Sequence, residues 1–212
     1  MSVAIVTAVM GGFDSVKPLP AGHGFDDAVL VTDVDCEAAG WRVVVQPPSD
    51  FPRLAAKLPK MAPWLFTVAD CSVWIDGSYA VNDWMWREAV DYHLARHDLV
   101  VSEHWEDRDD VVAEAEWCWS WPAYRDHPVR EQAAHYRAAG LPVPSGLYAC
   151  GTVARRHTDE QRALGLAWLA ECRDWSIQDQ VSFPYVCWRA GVTPGTWTVP
   201  VSTWLTQYGH LR

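Results

Sequence analysis

The chain contains no apolar run approaching the ~20 residues that a bilayer-spanning helix needs, so it offers no transmembrane segment. Met1 to Gly12 is apolar but has no basic lead-in and passes straight into a strand-and-turn pattern, so it does not read as a secretion signal, and a cytoplasmic protein is expected. Positive charge is scarce: 17 Lys and Arg stand against 27 Asp and Glu, a net charge of −10 at pH 7. That balance disfavours nucleic acid or an anionic membrane as partner, since both call for a basic face. Any anionic ligand must therefore meet a local cluster of cations or a bound metal. The six cysteines include no Cys-x-x-Cys pair and no compact Cys/His spacing, which excludes the usual zinc and redox motifs and points to free thiols. Repeats and linker-like stretches are also missing. All 212 residues thus read as one domain, with a turn-rich tail after about residue 194 expected as a peripheral ribbon or arm.

What the chain does have is a set of short buried strands. Val3 to Val9 is an unbroken run of β-branched and small apolar residues closed by Gly11-Gly12, the pattern of a strand covered on both faces. Ala28 to Thr32, Trp41 to Gln46, Ser72 to Asp76, Asp98 to Ser102 and Leu147 to Ala154 read the same way. Helical periodicity lies between them: Pro52 to Lys60; a helix capped by Asp83 that carries Trp86, Val90, His93, Leu94 and His97; Pro128 to Ala139, stopped by Gly140; Thr158 to Asp174, with a Thr158/Gln161 capping pattern; and a last helix capped by Ser176 and interrupted by Pro184. Strands alternating with helices predict an α/β fold with a mostly parallel sheet and helices on both faces, whose ligands bind at the carboxyl ends of the strands. That rule selects Gly11 to Asp14, Asp33 and Asp35, Asp76 to Tyr79, Glu103 and His104, and the segment Arg155 to His157.

Val73-Trp74-Ile75-Asp76-Gly77-Ser78 delivers a carboxylate to a strand end, followed by a glycine that admits close approach. Such a carboxylate can hold Mg²⁺ or Mn²⁺ against a diphosphate; it can equally cap its own turn. Arg53, Lys57 and Lys60 form the one compact basic cluster, suited to phosphate or to solvated salt bridges. Arg156 and His157 close a strand and precede a helix cap, where His157 can complete a metal shell or the segment is simply a basic loop. Asp179 and Gln180 open the last helix, either as dipole-favoured cap residues or as hydrogen-bonding partners for sugar hydroxyls. Trp117, Trp119 and Trp121 alternate with small residues, so an extended segment would line three indoles for an acceptor sugar or for a buried face. His104 is a possible ligand or acid/base group on the acceptor side, or a hydrogen-bonded, partly buried residue.

Taken in order, these pieces resemble the glycosyltransferase-like family of the plant mucilage-related and turgor-regulation-defect proteins. They are Ala4 to Asp14, Val31-Thr32-Asp33, Gly40-Trp41, Pro52-Arg53 with Lys57, Ser72 to Ser78, the neighbourhood of His104, His135-Tyr136 with Gly140-Leu141-Pro142, Gly146-Leu147, Val153 with Arg155-Arg156-His157, and Ser176 through Tyr185, spanning residues 3–192. The resemblance implies a Rossmann-like GT-A type glycosyltransferase, probing a nucleotide-diphospho-sugar, with a UDP-sugar the favoured donor and an unidentified acceptor. By the same analogy Gly11, Gly12, Asp14 and Asp33 would lie near the nucleotide and Arg53, Lys57, Gly77, Ser78 and Arg156 near the donor. Asp76 would stand at the first acidic position of an Asp-x-Asp metal motif holding Mn²⁺ or Mg²⁺, with His157 as an added contact, and Asp179-Gln180 would hold the donor sugar. The chain departs from the family at Ser78, where the motif has a second acid, and at Gln178, where an Arg is common. A non-catalytic nucleotide- or sugar-binding module, a nucleotidyltransferase, and sugar transfer to modified viral DNA or to protein are the alternatives.

Overall fold

All seven residues of Val3–Val9 (β1) are buried, and they alternate between two apolar clusters, Ala4, Val6 and Ala8 facing one and Val3 and Ile5 the other. A strand covered on both faces has no need of polar alternation, which is why its sequence is continuously apolar. In this computed structural model, which describes residues 1–104 and 108–210, β1 is an interior strand of a seven-stranded sheet. The other members are Asp27–Thr32 (β2), Arg42–Val45 (β3), Cys71–Ile75 (β4), Leu99–Glu103 (β6), Tyr148–Arg156 (β7) and Gly195–Thr196 (β8), in the order β3-β2-β1-β4-β7-β6-β8. Tyr79–Val81 (β5) pairs outside that sheet with Leu205–Gln207 (β9).

The register shows one reversal. β1 runs parallel to β2 and β4, β2 parallel to β3, and β6 parallel to β8, whereas β7 is antiparallel to both β4 and β6. The mostly parallel α/β sheet is thus as expected. The direction of β7 is not, and it inverts the placement of the residues at its two ends.

Helices cover both faces. Pro52–Ala55 (α1), Lys57–Met61 (α2), Val111–Ser120 (α4), Val129–Ala138 (α5), Asp159–Asp174 (α6) and Asp179–Ala190 (α7) contribute to the cluster that contains Met61, Tyr136, Trp168 and Phe183. Met85–Leu94 (α3) covers the other face with Trp86, Val90 and Leu94. Thr158 caps α6 through its hydroxyl, and Asp83 accepts the backbone N–H of Met85 at the start of α3. Three expectations are corrected. The segment Trp117 to Ser120 belongs to α4, where Asp110 accepts the Val112 N–H as cap, and is not an extended ribbon. Ser176 does not cap α7: its buried hydroxyl donates to Gln132 Oε1 at 2.6 Å, and Gln178 holds the cap position. The tail is not peripheral, because β8 extends the main sheet and Trp197, Trp204 and Leu205 are buried, both tryptophans packing on Trp86.

Candidate active site

The carboxyl ends of β1 and β4, the amino end of β7 and the first turn of α7 surround a cleft of about 620 Å³. Its walls bring together Asp14, Arg53, Lys57, Asp76, Gly77, His104, Trp121, Asp179 and Gln180, residues drawn from most of the chain.

The centre of the cleft is a buried ionic knot. Lys57 and Lys60 lie three residues apart on α2, hence on one face of it. Both ammonium groups reach Asp179 Oδ2, at 2.7 and 2.6 Å, and Lys60 also lies 3.3 Å from Asp76 Oδ1. Asp76 Oδ1 further accepts the indole N–H of Trp74 at 2.6 Å. Burial opposes the charge on Asp179, but the two lysines override it and hold the carboxyl well below the usual carboxylate range. Burial likewise works against the Lys60 ammonium, and Asp179 and Asp76 reverse that, raising its pKa. The backbone carbonyl of Asp179 is fixed by Trp168 Nε1 and the Ser182 hydroxyl, so the first turn of α7 is rigidly set.

Around this knot the cleft is graded. Arg53 donates to Tyr124 Oη at 2.6 Å and lies over the Tyr124 and Phe13 rings; among the described residues it joins no ion pair. Glu114, 1 % exposed, accepts from Arg108 Nε at 2.9 Å and Gln178 Nε2 at 3.2 Å, with His104 Nε2 at 3.9 Å. Gln178 Nε2 also approaches Gln180 Oε1 at 3.4 Å, linking Glu114 to the first turn of α7. Gly77 is required sterically: a Cβ there would stand 2.8 Å from the Ala8 carbonyl, so only glycine lets β4 turn beside the end of β1. The β5–β9 ribbon carries the tail across one rim, where His210 Nδ1 meets Asp14 Oδ1 at 2.9 Å.

Other expected site residues lie outside the cleft. Gly11 and Gly12 adopt left-handed φ values of 62° and 65°, which favour glycine, and form the turn after β1; the Gly11 N–H donates to Asp33 Oδ2 at 2.8 Å. These residues and Asp33 shape the cleft's edge without lining it. Ser78 is buried beneath the rim, and its carbonyl accepts the Tyr208 N–H at 2.8 Å. Trp117 on α4 and Trp121, the residue that ends it, both line the cleft with ring centroids 5.4 Å apart, whereas Trp119 points away under the Arg130 guanidinium.

Arg156 and His157 sit at the opposite end of the sheet. Because β7 is antiparallel, Arg156 pairs with Cys71, the first residue of β4. The Arg156 guanidinium closes the end of α3 on the Leu94 carbonyl. His157 Nδ1 donates to the Ala69 carbonyl at 2.8 Å, which leaves Nε2 to accept from the Ser72 hydroxyl at 2.9 Å. Burial lowers its pKa to about 4, so it is a neutral structural residue with both nitrogens engaged.

The donor set does not fit a divalent cation. Such an ion wants several oxygen ligands, commonly more than one carboxylate. Asp76 has one oxygen already bonded by Lys60 and Trp74, the neighbouring acidic position is the uncharged Ser78, and His157 is remote. Among the described residues no three His, Cys, Asp or Glu side chains cluster closely enough to hold a metal.

Sequence reading missed Glu114 and Arg108, and named Lys60 only as part of a basic cluster. A signal for Glu114 existed in the four-residue spacing of Glu114 and Cys118 on one buried helical face, hidden by the alternation of the tryptophans.

Comparison with curated proteins finds no match. Residues 26–200 match the family described as TOD1/MUCI70, glycosyltransferase-like domain. That span runs from β2 past the α7 segment and includes Arg53, Lys57, Asp76, Asp179 and Gln180. The chain therefore belongs to the TOD1/MUCI70 glycosyltransferase-like domain family.

Proposed function

We propose that the protein transfers a sugar from a nucleotide-diphospho-sugar, with a UDP-sugar as donor, to an acceptor that enters from the Trp117/Trp121 side. The observation that carries this reading is the convergence of Lys57 and Arg53, which joins no ion pair among the described residues, beside Asp76 and Asp179-Gln180 at the carboxyl ends of the strands. In the transfer the bond between the anomeric carbon and the diphosphate oxygen breaks, and its electron pair leaves with the diphosphate. An acceptor hydroxyl forms the new bond to that carbon, and its proton passes to the oxygen of the departing diphosphate. Negative charge develops on the departing diphosphate, where Lys57 and Arg53 supply preorganised donors. Positive charge develops on the sugar, and a carboxylate that stays ionised at every physiological pH, as Asp179 does, stabilises it. Gln180, hydrogen-bonded through Gln178, is set to orient sugar hydroxyls.

The test is a thermal-shift and hydrolysis panel of nucleotide sugars on the wild type and on Asp76→Asn. A ligand that binds only the folded state raises its stability by mass action, so donor binding is visible without an identified acceptor. A UDP-sugar should raise the melting temperature and be slowly hydrolysed, and Asp76→Asn should lose hydrolysis. Stabilisation with no turnover would turn the reading into a binding module. No response to any nucleotide sugar would overturn it.

A further inference from the structure

We propose that the buried ammonium of Lys60 takes the place of a divalent cation at the diphosphate subsite, so that this site binds a nucleoside diphosphate without metal. The inference rests on the nucleotide-sugar reading above and concerns how the same cleft manages charge.

Lys60 is 2 % exposed, an unusual position for a lysine. Four groups are built around its Nζ: Asp179 Oδ2 at 2.6 Å, Asp76 Oδ1 at 3.3 Å, and the rings of Trp74 and Trp168 at 5.8 and 5.9 Å. Two carboxylates and two indole faces make a cage for one compact cation. The cage is closed from behind by Trp168, whose Nε1 holds the Asp179 carbonyl. The fixed positive charge therefore sits against the strand-end carboxylate, where a metal would otherwise be needed.

This arrangement excludes a second cation on electrostatic grounds. An ion bonded to Asp76 at about 2.1 Å would face the ammonium across a single carboxylate, and two cations so placed repel strongly away from bulk water. Ser78 adds no compensating charge. With Lys60 neutralising the carboxylates beneath, Lys57 and Arg53 are left to face the ligand. Lys57 spends one of its three N–H donors on Asp179 and remains partly exposed, and Arg53 is held on the rim by Tyr124 without a carboxylate partner among the described residues. Among the charged residues that line the cleft, the cations Arg53, Lys57, Lys60 and Arg108 balance the carboxylates Asp14, Asp76, Glu114 and Asp179, so a diphosphate is drawn by the donors of Lys57 and Arg53 that face it and not by an excess of charge.

The experiment is calorimetric titration of the full chain with UDP and with GDP, once in excess EDTA and once in excess Mn²⁺, alongside the electron-spin resonance signal of Mn²⁺ mixed with protein and nucleotide. Expected are dissociation constants equal within about twofold in the two conditions and no protein-dependent loss of the free Mn²⁺ signal. Lys57→Met should weaken binding by roughly tenfold or more, the loss of one charge-assisted contact. Lys60→Met, if it folds, should lose binding in EDTA and regain it with Mn²⁺, because the Asp76 carboxylate, freed of the ammonium, is then open to a metal. Nucleotide binding by the wild type that disappears in EDTA would overturn the inference and leave the nucleotide-sugar reading standing. Binding of neither nucleotide in either condition would overturn both.

Discussion

Lys57 and Asp179, separated by 122 residues of sequence, meet at 2.7 Å in the floor of the cleft. The contact ties α2 to the first turn of α7, and Lys60 doubles it from the next turn of the same helix. Removing the shared carboxylate leaves Lys57 without a counter-ion and Lys60 with Asp76 alone, whereas removing Lys57 leaves Asp179 still paired with Lys60.

Asp179→Ala should therefore cost about 3–5 kcal/mol of stability, the range for breaking a buried pair from one side. Lys57→Met should cost about 1–2 kcal/mol. Urea denaturation of the two variants measures both, and a Lys57→Met protein less stable than Asp179→Ala would contradict the shared-carboxylate arrangement.

His157 makes folding pH-dependent in a defined direction. Its folded pKa of about 4 lies below the ordinary histidine value of 6.5, so between these limits the unfolded chain binds a proton that the folded chain does not. The stabilisation is fully present above pH 6.5 and is lost as pH falls toward 4. His157→Gln should flatten the decline in stability between pH 7 and pH 5. An unchanged slope in denaturation experiments at the two pH values would assign the decline to other groups.

Gly165 on α6 is the closest approach of that helix to α2. A Cβ there would stand 2.0 Å from the Met61 carbonyl and 2.9 Å from Arg155 Nη1. Gly165→Ala must push α2 away, at a cost of about 3 kcal/mol or more, or a fall in melting temperature of roughly 6–12 °C for a chain of this size. The same displacement moves Lys57 and Lys60, so nucleotide affinity should fall with it. A variant with wild-type melting temperature would show that the contact relaxes freely.

Trp121, at the end of α4, and Trp119, within it, should behave differently. Trp121→Ala removes a face of the cleft and should reduce transfer or donor hydrolysis several-fold at little cost in stability. Trp119→Ala removes only a stacking partner of Arg130 and should leave turnover unchanged. Equal effects of the two on turnover would remove the aromatic wall from the site.

Much of this architecture was legible in the residues. Strands β1, β2 and β4 are runs buried almost throughout, so apolar continuity located them, whereas the edge strand β3 is only half-buried and the two-residue β8 is too short to show a pattern; Thr158 and Asp83 marked helix starts because their side chains satisfy backbone donors there. Strand direction was not legible, since a run such as Tyr148 to Arg156 is equally apolar in either orientation. That single ambiguity moved Arg156 and His157 to the wrong end of the sheet. Helix α4 was obscured because Trp117, Trp119 and Trp121 alternate like a strand, while the residues that face the core, Glu114, Ala115 and Cys118, follow the helical period. Asp76, Lys57, Arg53 and Asp179 were found individually from position and charge. Their convergence depends on contacts across long stretches of chain, which no local pattern encodes.

The reversal of β7 also determines which loops can be redesigned. In an all-parallel sheet, only the connections that follow strands border the ligand. Here the amino end of β7 does so as well, since Ala149 to Gly151 form part of the cleft wall, and the loop before it, residues 139–147, ties His104 to that wall through the Leu147 carbonyl, which accepts the His104 N–H. Grafts into that loop would alter which acceptors are admitted. Insertions after Arg156 would emerge some strand-length away and leave selectivity untouched.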